Sequence, residues 1–129
     1  MSENFLEGAS TTEGNSGSPA VTFGAAERSA LNSAITRILR ARWRGSAPTG
    51  ADAELLRSNV TWRLNRDGSV RGTPTCRQTG TVTEANRPQS QLHCERAIRA
   101  VMTADFSSLP ERFYSEWDYL EWDFDRSLL

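Results

Sequence analysis

The chain has 129 residues, is 37% hydrophobic and 24% charged, and carries a formal net charge of −1. That length suits one domain with a modest core. The near-neutral balance argues against a nucleic-acid binder, whose footprint is a clear basic excess. All 15 basic side chains are Arg, which removes lysine-dependent chemistry such as Schiff bases and phosphate-cradling P-loop lysines. No apolar run is long enough to span a bilayer, and the polar start Ser2-Glu3-Asn4-Phe5-Leu6-Glu7 has no signal-peptide layout. The chain is therefore expected to be cytoplasmic or a soluble piece of a longer protein.

Residues 1–25 are rich in Gly, Ser, Thr, Glu and Asn and are expected to be a disordered linker, with 26–129 as the folded domain. Phe5-Leu6 and Val21-Thr22-Phe23 are small apolar islands, read as parts of a solvated tail. From Ala25 to Trp43 the period turns helical: Leu31, Ile35, Ile38, Leu39 and Trp43 share one stripe, with Arg28, Arg37, Arg40 and Arg44 around it. Gly45 and Pro48 end this helix. A loop follows, and the first strand is expected to begin near Leu55.

Residues 60–78 read as a β-hairpin. Val60, Trp62 and Leu64 alternate with Thr61 and Arg63, and Arg66-Asp67-Gly68 supplies a three-residue turn in which Gly68 takes the left-handed conformation. Val70, Gly72, Pro74 and Cys76 continue the inward face. With Leu64 opposite Val70, Trp62 is expected to cover Gly72.

Asn86 or Thr83 caps a second helix, with Pro88 in its first turn. Its expected apolar stripe is Cys94, Ala97, Ile98, Val101 and Met102. Leu109-Pro110-Glu111 starts one or two short turns carrying Phe113 and Trp117. In the last element Leu120, Trp122 and Phe124 alternate with Tyr119, Glu121, Asp123 and Asp125, giving a third half-buried strand with an acidic outer face. Arg63, Arg71 and Arg77 lie on the hairpin's polar face, so cross-strand ion pairs are expected. The order αββαβ predicts an α+β fold: a small three-stranded antiparallel sheet in one layer, two main helices packed on one face of it in the other.

Candidate chemistry is thin. Cys76 and Cys94 are either two buried thiols or a disulfide; both point into the same layer. His93 with Cys76, Cys94 and Glu95 does not form a closed zinc set, and the same geometry counts against a Cys-His nucleophile. His93 is read as a surface side chain. Glu121 and Asp123 share one strand face but read as a solvated, salt-bridged surface, and Arg71-Gly72-Thr73 is no phosphate loop. Trp62 and Trp122 are assigned to the core; Trp43 and Trp117 are left open. No catalytic residue, cofactor, metal or small-molecule substrate is expected.

The segments Ile38-Leu39-Arg40-Ala41-Arg42-Trp43, the run from Val60 through Asn65-Arg66-Asp67-Gly68-Ser69-Val70, Ala97-Ile98-Arg99-Ala100-Val101, and the tail from Leu109-Pro110 through Trp122-Asp123-Phe124-Asp125 together resemble the C-terminal periplasmic domain of the TolA and TonB family of envelope energy transducers, and TolA-type domains more than TonB-type ones. The likeness covers residue 26 to the end. It implies a Cys76–Cys94 disulfide and a periplasmic location. It also implies an excised terminal domain of a protein anchored in the inner membrane through a segment absent here. The implied function is non-enzymatic: binding a periplasmic or outer-membrane protein, TolB-like or a colicin or phage protein. The chain stops soon after the third strand where some members continue, which leaves that strand's edge more open. An uncovered edge offers unpaired N–H and C=O groups to an extended peptide. The expected binding edge is Tyr119, Glu121, Trp122, Asp123 and Asp125. The alternatives are a TonB-type domain for nutrient receptors and a small cytoplasmic protein using Cys94 and His93.

Overall fold

The computed structural model describes residues 22–129. Most of the expected Gly/Ser-rich linker, including the Phe5-Leu6 island, falls outside the described residues. Helix α1 (Ala25–Trp43) has the predicted bounds. Gly24 opens it, and its N–H donates to Glu27 Oε1 at 2.9 Å, which satisfies a donor the helix leaves free. Leu31, Ala34, Ile35, Leu39 and Trp43 face the core. Phe23 is not part of a solvated tail: its ring meets Phe113 edge-on at 5.0 Å, and the Arg28 guanidinium lies 5.0 Å from its centroid.

Strands β1 (Ser58–Leu64), β2 (Val70–Gln78) and β3 (Tyr119–Phe124) form one antiparallel sheet in the order β2-β1-β3. Helix α2 (Arg87–Thr103) joins β2 to the single-turn helix α3 (Tyr114–Trp117), which leads directly into β3. The fold is α+β with the expected αββαβ order, α1 and α2 closing one core with the sheet's inner face. Strand β1 starts at Ser58 rather than near Leu55, because residues Ala53–Leu55 close a 3-10 turn and the Leu55 carbonyl accepts from the Thr81 N–H at 2.9 Å. No helix among the described residues is long and apolar enough to cross a membrane.

The hairpin turn is as expected. Asn65 N–H donates to the Ser69 carbonyl at 2.8 Å, closing a three-residue loop. Asp67 Oδ1 accepts from the Ser69 N–H at 2.9 Å and from its hydroxyl at 2.6 Å. Gly68, at φ 90°, is required twice over: a Cβ there would lie 2.6 Å from the Phe106 carbonyl carbon. The pairing starts in the expected register, Leu64 opposite Val70 and Arg63 opposite Arg71. It then slips, so that Thr61 faces Thr75 and Val60 faces Cys76. Residues 72–74 bulge against Trp62 alone. Gly72 is exposed at φ 79° with open space where a Cβ would be, so Trp62 does not cover it. The reason is local: Pro74 has no N–H for the ladder and Gly72 admits a left-handed φ, and together they absorb two extra residues.

Asn86 precedes α2 and is fully buried. Its amide donates to the carbonyls of Asp52 and Thr81, each at 2.9 Å, and its Oδ1 accepts from the Thr83 N–H at 2.7 Å. One side chain thus ties the loop before β1 to the loop after β2. Helix α2 buries His93, Ala97, Ala100 and Val101, whereas Met102, expected in the stripe, is 51% exposed. The buried face of α2 is thus centred on His93, Ala97, Ala100 and Val101, which leaves Met102 off it.

Trp43 and Trp117, left open by the sequence, are both core residues. Trp117 Nε1 donates to the Pro110 carbonyl at 2.8 Å, and Trp43 Nε1 to the Asp125 carbonyl at 3.0 Å. Trp62 is 3% exposed, sits 5.9 Å from Phe106 between ring centres, and its Nε1 has no partner among the described residues. Trp62→Ala is therefore expected to cost about 3–5 kcal/mol. Trp62→Phe gives up only an unpartnered N–H and part of a ring, and is expected to cost about 1–2 kcal/mol. Denaturant melts of both variants check this, and a loss under about 1 kcal/mol for Trp62→Ala would remove the ring from the core.

Candidate functional site

In an antiparallel ladder, alternate residues turn their backbone groups toward alternate neighbours. Leu64 N–H donates to the Asp118 carbonyl at 2.9 Å, and this pair continues the β1–β3 register of Trp62 with Leu120, Val60 with Trp122 and Ser58 with Phe124. The even residues of β1 therefore bond to β3. Its odd residues bond to β2, as the Asn65–Ser69 and Arg57–Thr79 bonds at the two ends of that ladder require. It follows that Leu120, Trp122 and Phe124 direct their backbone groups at β1. Tyr119, Glu121 and Asp123 direct theirs outward. Among the described residues, no backbone bond reaches the outer side of β3, which is an edge of the sheet.

The expected edge residues thus divide. Tyr119, Glu121 and Asp123 are exposed and present both backbone and side chain. Trp122 belongs to the same strand, but its backbone is paired and its half-buried side chain turns to the core side. Asp125 lies one residue past β3. Its carboxylate accepts from Arg57 Nε at 3.0 Å and from the Ser127 N–H at 2.9 Å, which fixes the last turn and not the edge. Burial pushes the Asp125 carboxyl up, but the bonds from Ser127 and Arg57 outweigh it and hold it below the usual carboxylate range.

The sheet's outer face is open and polar. The expected ion pairs across it are not made: Glu121 faces Thr61, Asp123 faces Asn59 and Arg63 faces Tyr119. The register sets this, because no Arg of β1 stands opposite an acid. Asn59 Nδ2 donates to Asp123 Oδ1 at 3.0 Å, and the Arg63 guanidinium stacks 4.6 Å from the Tyr119 ring centre. Neither Glu121 nor Asp123 is ion-paired among the described residues.

The other edge is different. Strand β2 carries the bulge at 72–74, lacks an N–H at Pro74, and is tied to α2 by the Cys76–Cys94 disulfide. Bulges and proline are the usual protection of an edge against further pairing. The disulfide also leaves no free thiol, which removes the Cys94 nucleophile. A disulfide is compatible with an oxidising compartment.

His93 is not a surface side chain but 3% exposed. Its Nδ1 is 2.6 Å from Ser58 Oγ, and its ring meets Trp43 edge-on at 5.0 Å. No local signal marks this contact, since Ser58 lies 35 residues earlier and Ser at the start of a strand carries no motif. Ser58 has no exposed surface, so no substrate reaches its hydroxyl. The pair is a satisfied buried hydrogen bond at the end of the sheet. A cleft of about 240 Å³ beside it is lined by His93, Trp43, Glu54, Asp125 and Arg126 among others. No group of three or more His, Cys, Asp or Glu side chains that could hold a metal gathers among the described residues.

Burial lowers the His93 pKa from 6.5 to about 4, partly offset by the negative charge of Asp125. The unfolded chain therefore binds a proton at this group first as pH falls. Stability due to His93 is full above pH 6.5, declines between 6.5 and about 4, and changes no further below that. The loss is expected to be at most about 3 kcal/mol. Urea melts at pH 7, 5 and 4 check it against His93→Gln, which does not titrate and should lack this slope; equal slopes would contradict it. The edge itself is checked by native-state amide exchange: Tyr119, Glu121 and Asp123 are expected to exchange far faster than Leu120, Trp122 and Phe124.

No family model matches the chain, and no curated protein or solved structure matches it either.

Proposed function

We propose that this chain is a non-enzymatic, periplasmic protein-binding domain of a TolA-like envelope transducer, and that it takes an extended segment of its partner as an added strand along β3. The observation that carries this reading is the outward direction of the Tyr119, Glu121 and Asp123 backbone groups at an unpaired sheet edge. An extended peptide bonding there completes the ladder, and backbone pairing supplies affinity without remodelling the domain. The guarded β2 edge supports the choice of side. The Cys76–Cys94 disulfide supports an oxidising location, of which the periplasm is one. The transducer role and a TolB-like, colicin or phage partner rest on the sequence resemblance.

Glu121→Pro tests the reading, because the Glu121 N–H faces outward and proline there breaks no bond to β1. Titrated with a TolB-type periplasmic protein, the unaltered domain is expected to bind. The variant is expected to bind at least about tenfold more weakly while its melting temperature moves by only a few degrees. Unchanged affinity in a folded Glu121→Pro variant would overturn the edge; no binding by the unaltered domain would overturn the TolB-like partner.

A further inference from the structure

The chemistry of β3 defines what kind of strand it accepts. This inference rests on β3 being the binding edge. A strand added antiparallel to Tyr119–Phe124 places alternate residues opposite Asp123, Glu121 and Tyr119, on the open polar face, about 4.5–5.5 Å away between Cβ atoms. The residues between them turn to the other face, beside Trp122 and Leu120. Trp122 is only partly buried there, so part of its ring awaits cover.

A second copy of this chain is a poor occupant. If two β3 strands pair antiparallel about Glu121, Glu121 meets Glu121. If they slip by one pairing step toward the C-terminus, Glu121 meets Asp123 twice. The register that sets Tyr119 against Glu121 avoids acid against acid, but it pairs only those two outward positions, since Trp117 is helical. Like charges directly opposite each other destabilise a pair. Neither acid has an ion partner among the described residues, which leaves both charges to an incoming chain.

We infer that the β3 edge selects an extended partner segment of alternating character: basic residues at the two positions facing Asp123 and Glu121, an apolar residue between them packing beside Trp122, a second apolar residue beside Leu120, and then a residue that lies against Tyr119. In partner order this reads basic, apolar, basic, apolar, and then the Tyr119 position. The basic side chains select the register, because a shift of one residue puts the apolar set on the open face and the cations over Trp122.

The test uses three nine-residue peptides titrated into the domain while the amide resonances of Tyr119, Glu121 and Asp123 are followed. One alternates Arg and Val, one alternates Glu and Val, and one has the composition of the first with its arginines in a single block. The alternating basic peptide is expected to shift these amides and to bind about tenfold more tightly than the acidic one. The blocked peptide is expected to bind more weakly than the alternating one. In a Glu121→Lys, Asp123→Lys double variant, both positions being exposed, the preference is expected to reverse. Equal affinity for basic and acidic peptides with shifts at these amides would keep the edge and overturn the basic partner. A basic preference that survives charge reversal, or equal binding of the blocked peptide, would also overturn it. If no peptide moves the amides, the edge and the partner chemistry both fall.

Discussion

The fold depends on β1 being the middle strand. The backbone of Ser58–Leu64 is shared between two neighbours, even residues pairing toward β3 and odd residues toward β2. The same alternation sends Val60, Trp62 and Leu64 into the core and Asn59, Thr61 and Arg63 onto the open face. Because pairing and burial share a period of two, neither can shift without the other. The outward residues of β3 are therefore set by a strand they pair with on its far side. A one-residue slip of β3 would bury Glu121 and Asp123 and would expose Leu120 and Phe124. Such a slip costs several buried side chains, each worth about 1.5–3 kcal/mol.

The two ends of the sheet are held by different means. At the turn end, Gly68 lets the hairpin lie directly on the Phe106 carbonyl, and Tyr114 OH donates to the Leu64 carbonyl. At the opposite end, Trp43 sits edge-on between His93 and Phe124, with the Ser58 hydroxyl on the histidine's other side. A neutral imidazole there can share a hydrogen bond with a hydroxyl and still pack against an indole, and a charged one pays for its desolvation. The disulfide adds a third constraint between β2 and α2, worth roughly 3 kcal/mol by the loop-closure account. None of these three devices bonds to the outer side of β3, and among the described residues no further strand pairs there.

Much of this was legible in the chain. The bounds of α1, the turn at Arg66-Asp67-Gly68, and the alternation of Leu120, Trp122 and Phe124 are all properties of short windows, where periodicity and turn chemistry decide. The failures share a cause as well. The bulge at 72–74 needed the knowledge that Gly72 and Pro74 act together against a single residue of β1, which depends on two strands at once. His93 reads as a surface side chain because its partners, Ser58 and Trp43, are distant in sequence. Met102 reads as buried because local periodicity does not say which flank of a stripe the next element covers, and Phe23 reads as tail because its partner Phe113 is far away in sequence. For the site, the residue types of the edge were readable. The division between Tyr119, Glu121 and Asp123 on one hand and Trp122 and Asp125 on the other was not, because it follows from pairing parity.

The asymmetry between the two edges is the strongest structural reason to read β3 as a place of contact. An unprotected edge is a liability in any sheet protein, and β2 shows that this chain has the means to protect one: a bulge, a proline and a cross-link to a helix. At β3 the defence is different in kind. Its six residues are regular and unbroken, and its deterrents among the described residues are the two outward carboxylates. Charge disfavours pairing with another β3, yet it leaves the backbone free for a strand of opposite sign. A bulge or a proline rejects every partner, whereas an acidic edge rejects only some. On the proposed reading, Glu121 and Asp123 would serve specificity in both directions, against self-association and toward a complementary chain.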